Sequence, residues 1–132
     1  MTAQIPEVLR FESREHPMCT EPLEDYFELG GRKSPFASYC TANWRGYIGT
    51  WEVRGQRLYL VGLEGRSGEG AELTLVSLFP GHGSRVYAHW YSGTVRLPEG
   101  KLLKYFHGGY GSTYERDRLL RFDKGVLVET SV

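Results

Sequence analysis

The sequence predicts a mainly β protein: an antiparallel sandwich or partly open barrel of about eight strands, with a short helix near the N-terminus. Three observations carry this. Short segments rich in Val, Leu, Tyr, Trp and Phe succeed one another from residue 36 onward. Glycine-rich turn signals separate them, at 30–31, 64–70, 80–83, 98–100 and 107–111. Several segments alternate with a period of two, the signature of a strand with distinct faces. A length of 132 residues with 40% hydrophobic content is that of one domain with one core.

Residues 1–35 are expected to form an irregular or short-helix segment, and 36–132 the sheet. Within the first part, EPLEDYFEL has early acids and apolar residues at near-helical spacing, which predicts one helix. Residues 12–22 and 30–35 read as connecting loop. The predicted strands are 36–43, 46–54, 57–63, 71–79, 85–96, 101–107, 118–123 and 125–129. In 46–54, Tyr47, Trp51 and Val53 alternate with Thr50, Glu52 and Arg54, giving one wet face. In 85–96, Tyr87, His89 and Tyr91 alternate with Val86, Ala88 and Trp90, so neither face is simply polar. KLLKYFH repeats the pattern, with Leu103, Tyr105 and His107 on one side. A hairpin about LPEG would set the two Tyr/His faces side by side, and FDKGVL reads as a tight hairpin between the last two strands.

Composition excludes several classes. Sixteen basic and sixteen acidic residues leave a net charge of zero, so no overall field favours nucleic acid or an anionic membrane. Apolar runs such as LYLVGL are too short to span a bilayer, and MTAQIPEVLRFESREHP lacks the apolar core and cleavage site of an export signal. The expectation is a soluble cytoplasmic protein. Cys19 and Cys40 lie apart without a CxxC partner, which favours two reduced thiols over a metal cage or disulfide framework. His82 and His89 are seven residues apart, with no ligand at i+2 or i+4, so no metal site is expected.

HGGYGSTYERD, residues 107–117, is the stretch richest in candidate chemistry. It spells neither a phosphate loop nor a dinucleotide fingerprint, and YERDRLLRFDKG alternates like a strand rather than opening a helix. No cofactor is expected. Gly108, Gly109 and Gly111 are read as shaping a bulged strand connection. An acid–base site would use His107 as base, Glu115 to orient it and Arg116 to hold an anion. A serine nucleophile has no support, because Ser92 and Ser112 lack any triad spelling.

The remaining signal is aromatic. Nine tyrosines exceed what a small core can satisfy at their hydroxyls, so some are expected on a recognition surface. The candidate binding residues are Trp44, Tyr47, Tyr87, His89, Tyr91, Tyr105, His107, Tyr110 and Tyr114. NWRGYIGTWEV at 43–53 is similar to the GxW motif of lipocalins and intracellular fatty-acid-binding proteins, whose Trp closes one end of a ligand barrel. That motif lies near the N-terminus in those families, whereas here some forty residues precede it; the likeness is read as local convergence. EPLEDYF, WRGYIGTWEV, VYAHWYSGTVRLPEGKLL and HGGYGSTYERD together resemble a group of small bacterial proteins without an assigned activity. The leading expectation is a non-catalytic binding protein taking a protein partner, in an immunity or regulatory role, through its Tyr/Trp/His face. The alternatives are a small hydrolase or lyase using His107, Glu115 and Arg116, a barrel binding a small ligand, and a homo-oligomer packed through the Tyr-rich strand.

Overall fold

The computed structural model describes residues 4–38, 42–104, 110 and 113–132, with the backbone alone for 100–104 and 113. Its elements are β1 (Glu7–Phe11), β2 (Arg14–Met18), α1 (Pro22–Leu29), β3 (Tyr47–Arg54), β4 (Arg57–Arg66), β5 (Glu72–Leu73), α2 (Leu75–Leu78), β6 (Val86–Tyr87), β7 (Gly93–Lys104), β8 (Thr113–Asp123) and β9 (Val126–Ser131). The sheet runs β2-β1-β3-β4-β9-β8-β7, with β5 and β6 also paired to β4. All pairings are antiparallel except β1 with β3. The two ends of this order meet: the Cys19 N–H donates to the Arg96 carbonyl at 2.9 Å, and the Arg96 N–H to Thr20 Oγ1 at 3.2 Å. The result is a nearly closed, barrel-shaped sheet, the mainly β fold that the sequence predicts.

Alternation decides what faces inward. Leu9 and Phe11 from β1, Trp51 from β3, Leu58 and Leu60 from β4, Val95 and Leu97 from β7, and Leu120 and Phe122 from β8 pack together in one buried cluster. Helix α1 matches its prediction. Pro22 occupies the first turn, where its missing N–H costs nothing, and Glu24 and Asp25 complement the helix dipole there. Leu23 and Phe27, four residues apart, turn one stripe into the core. Tyr26 lies 5.0 Å from the Phe79 ring and 4.9 Å from Trp90, whose indole N–H donates to the Pro22 carbonyl at 2.8 Å. Among the described residues, no helix is long and apolar enough to cross a membrane.

Several expectations are corrected. Residues 7–18, read as irregular chain and loop, form the β1–β2 hairpin, closed by Glu12 and Ser13 with φ of 53° and 64°. A turn with two positive-φ residues usually shows Asn-Gly or Asp-Gly, which is why Glu-Ser concealed it. Residues 71–79 hold only the two-residue β5 before α2, because Thr74 and Ser77 cap the helix reciprocally and the Thr74 N–H donates to Ser77 Oγ at 3.0 Å.

The predicted strand 85–96 is interrupted. After β6 the chain folds back, with the His89 N–H donating to the Tyr87 carbonyl at 2.9 Å and the Tyr91 N–H to the Ala88 carbonyl at 3.1 Å, so Tyr87, His89 and Tyr91 do not share a face. Nor does LPEG turn: β7 continues through it, with Pro98 opposite Asp117 and Glu99 opposite Arg116, and its register against β8 shifts between Glu99 and Leu102. The expected strand 36–43 contributes an isolated bridge from Phe36 to Ser67, and residues 39–41 lie outside the described residues. FDKGVL does form its hairpin, with Lys124 and Gly125 at φ of 50° and 80°. A Cβ on Gly125 would come within 2.5 Å of the Ala88 carbonyl, so only glycine permits the fold-back of 88–92 against this turn.

Candidate functional site

The aromatic candidates divide between interior and surface. Tyr47 is fully buried and its hydroxyl donates to Glu24 Oε2 at 2.7 Å, while Tyr91 is only 3% exposed, so neither can meet a partner as expected. Tyr110 is half-buried; its hydroxyl donates to the Glu21 carboxylate, and its carbonyl accepts from Arg96 Nη1 at 2.6 Å. Tyr114 is half-buried on β8. Trp44 is 51% exposed on the turn before β3, with its N–H donating to Gln4 Oε1. Tyr105 and His107 lie outside the described residues, as does Cys40, while Cys19 is a half-buried free thiol. Glu115 and Arg116 are exposed neighbours 3.9 Å apart, and Arg116 also faces Glu99 across the β7–β8 ladder at 3.4 Å. Such surface pairs contribute little to stability.

Among the described residues of the predicted face, Tyr87 and His89 stand together outside the barrel, their rings 6.3 Å apart. The structure adds residues the sequence reading missed. Tyr59 and Tyr87 are directly opposite in the β4–β6 ladder, with ring centroids 5.8 Å apart. Their arginine neighbours cross over: the Arg57 guanidinium lies 5.6 Å from the Tyr87 ring centre, and that of Arg85 lies 5.0 Å from Tyr59. The same tripeptide pattern, Arg57-Leu58-Tyr59 and Arg85-Val86-Tyr87, generates both halves. Period two sends Leu58 and Val86 into the core while the Arg and Tyr stay outside. Arg54, at the end of β3, and Gly55, from the β3–β4 turn, complete a shallow recess of about 400 Å³ with Arg57, Tyr59 and Arg85. The Tyr87 hydroxyl donates to the Lys124 carbonyl at 2.7 Å, tying this ledge to the β8–β9 turn.

Inside the barrel sits a second, different constellation. Glu7 is fully buried and accepts from Arg45 Nη2 at 2.7 Å, Arg45 Nε at 3.1 Å, the Gly49 N–H at 2.7 Å and the Trp51 indole N–H at 3.1 Å. Arg45 Nη1 lies 3.6 Å from Glu21 Oε2, and the Arg45 guanidinium sits 5.4 Å from the Tyr47 ring centre. Gly49 belongs here for steric reasons, since a Cβ would lie 2.5 Å from Glu7 Oε1. The cluster fastens β1 to β3 from within, although Arg45 Nη1 is buried without a hydrogen-bond partner among the described residues. Among the described residues, no group of three His, Cys, Asp or Glu could hold a metal.

Burial pushes the Glu7 carboxyl up from 4.5 to about 6, outweighing the Arg45 charge and the hydrogen bonds that favour ionisation. Burial likewise holds the Tyr110 phenol, aided by its bond to Glu21, above its ordinary range. For Glu7 this fixes the sign of the stability effect. Between pH 4.5 and 6 the folded chain binds a proton at Glu7 that the unfolded chain releases, so raising pH through this window removes stability. The loss from this group is about 2 kcal/mol. A carboxyl-detected NMR titration is expected to place the Glu7 midpoint near 6 rather than 4.5. A midpoint at or below 4.5 would show that the Arg45 pairing outweighs burial.

Comparison with known proteins supplies no further guide: no family model, curated protein or solved structure matches this chain.

Proposed function

We propose that this chain is a non-catalytic binding protein that recognises a partner protein through the outer β4–β6 ledge, formed by Arg54, Arg57, Tyr59, Arg85, Tyr87 and His89. The observation that carries this reading is the pair of crossed Arg–Tyr contacts on the outside of the barrel. Tyrosine and arginine are the side chains that dominate protein recognition, because each offers broad contact area together with directional hydrogen bonds. Here they are also pre-oriented by stacking, which lowers the entropy lost on binding. The recess is open to solvent rather than enclosing, which suits a ligand carried on a larger body.

The test is a photoreactive phenylalanine placed at Tyr87 and, separately, at Val128, which is 47% exposed on β9. Position 87 is expected to give a discrete adduct with a second protein in cell extract, and position 128 none. Adducts in equal yield at both positions, or none at position 87, would contradict the reading.

A further inference from the structure

The chain is neutral overall, yet its ledge is not. Six of the other nine arginines have acid partners: Arg10 with Glu15 at 3.2 Å, Arg45 with Glu7 at 2.7 Å, Arg96 with Asp117 at 3.0 Å, Arg116 with Glu99 at 3.4 Å, Arg118 with Glu12 at 2.8 Å and Arg121 with Glu129 at 3.4 Å, whereas Arg14, Arg32 and Arg66 have none within 4.0 Å among the described residues. On the ledge, Arg54 reaches Glu52 only at 4.0 Å. Among the described residues, neither Arg57 nor Arg85 has a carboxylate within 4.0 Å; each instead lies against a tyrosine ring. Three guanidinium groups therefore border one recess, facing the single carboxylate of Glu52, which lies opposite Tyr59 in the β3–β4 ladder.

How the rings are used narrows the chemistry. A single-stranded nucleic acid would need free aromatic faces on which bases stack. A guanidinium already lies over one face of the Tyr59 ring and of the Tyr87 ring. What the arrangement leaves open are the N–H forks of the arginines, whose planar geometry matches carboxylates. We infer that the partner meets this ledge with an acidic segment, its carboxylates docking against Arg54, Arg57 and Arg85. This rests on the partner-binding reading above and adds the chemistry of the partner.

The experiment uses a fluorescent peptide of mixed Glu and Ser, its Gln/Ser counterpart and a labelled oligothymidylate, with binding measured by anisotropy. At low salt the Glu/Ser peptide is expected to bind the full chain at least about tenfold tighter than the Gln/Ser peptide, and the difference should shrink as salt screens it. Arg57→Ser combined with Arg85→Ser should remove the preference, and Arg57→Lys with Arg85→Lys should restore part of it at unchanged fold by circular dichroism. Equal binding of the two peptides, a preference that survives the double serine change, or tighter binding of oligothymidylate would overturn the inference. A Tyr87 adduct without acidic preference would remove this inference alone. Acidic preference without a Tyr87 adduct would remove the protein-partner reading, and with it this inference about the partner.

Discussion

Replacing Arg45 by Met is expected to cost about 3–5 kcal/mol of stability at pH 8, the range for breaking one partner of a buried ion pair. The reason is what stays behind. Glu7 would remain fully buried with the Gly49 and Trp51 donors but without a counter-charge. Its proton affinity would rise further, so the loss should shrink in acid, where the carboxyl is neutral. Glu7→Gln should cost less than Arg45→Met, because Glu21 stands 3.6 Å from Arg45 and keeps part of the countering charge. Urea unfolding at pH 5 and pH 8 checks both statements. An Arg45→Met penalty that is small and independent of pH would show that the pair is not the clasp between β1 and β3.

Trp51→Ala should be similarly damaging, at about 3–5 kcal/mol, the usual cost of emptying a large aromatic site in a core. Trp51 is fully buried, with its ring centre 6.5 Å from that of Trp90. Its indole N–H is also the donor to Glu7 Oε1. Trp51→Phe separates the two roles. It retains most of the apolar volume but leaves that oxygen without its donor, a loss of about 1–3 kcal/mol. A domain of this size has about 5–15 kcal/mol in reserve, so the alanine variant should melt near ambient temperature or fail to fold. Denaturant midpoints for the two variants provide the check, and equal midpoints would mean that the indole N–H contributes almost everything.

How much of this is legible in the sequence depends on which residues are asked. Trp51 and the strands around it are plain from period two, and α1 from its proline, acids and apolar spacing. The β1 strand is not, because Glu7 breaks the apolar alternation of Glu7, Leu9 and Phe11. A charge reads as solvent-facing until its partner is known, and Arg45 is 38 residues away. The 85–96 strand misleads for the opposite reason. Its alternation continues unbroken in the sequence, but the close approach of Gly125 to Ala88 folds the backbone there. Tyr87 and His89 emerge as surface candidates, and Tyr59 counts among the surplus rings, whereas Arg57 and Arg85 do not emerge at all. The repeated Arg-x-Tyr at 57–59 and 85–87 is their signal, and it acquires meaning only once Tyr59 is known to pair with Tyr87.

The proposed division of labour has Arg45 and its buried acid hold the barrel together, while Arg57 and Arg85 serve recognition. The most direct measurement is adduct yield from the photoreactive residue at position 87 after Arg57→Ser and Arg85→Ser, on protein whose urea midpoint has been recorded. The yield should vanish while stability falls by no more than about 2 kcal/mol, the usual worth of two exposed cation–π contacts. An undiminished yield on the folded double variant would contradict the account.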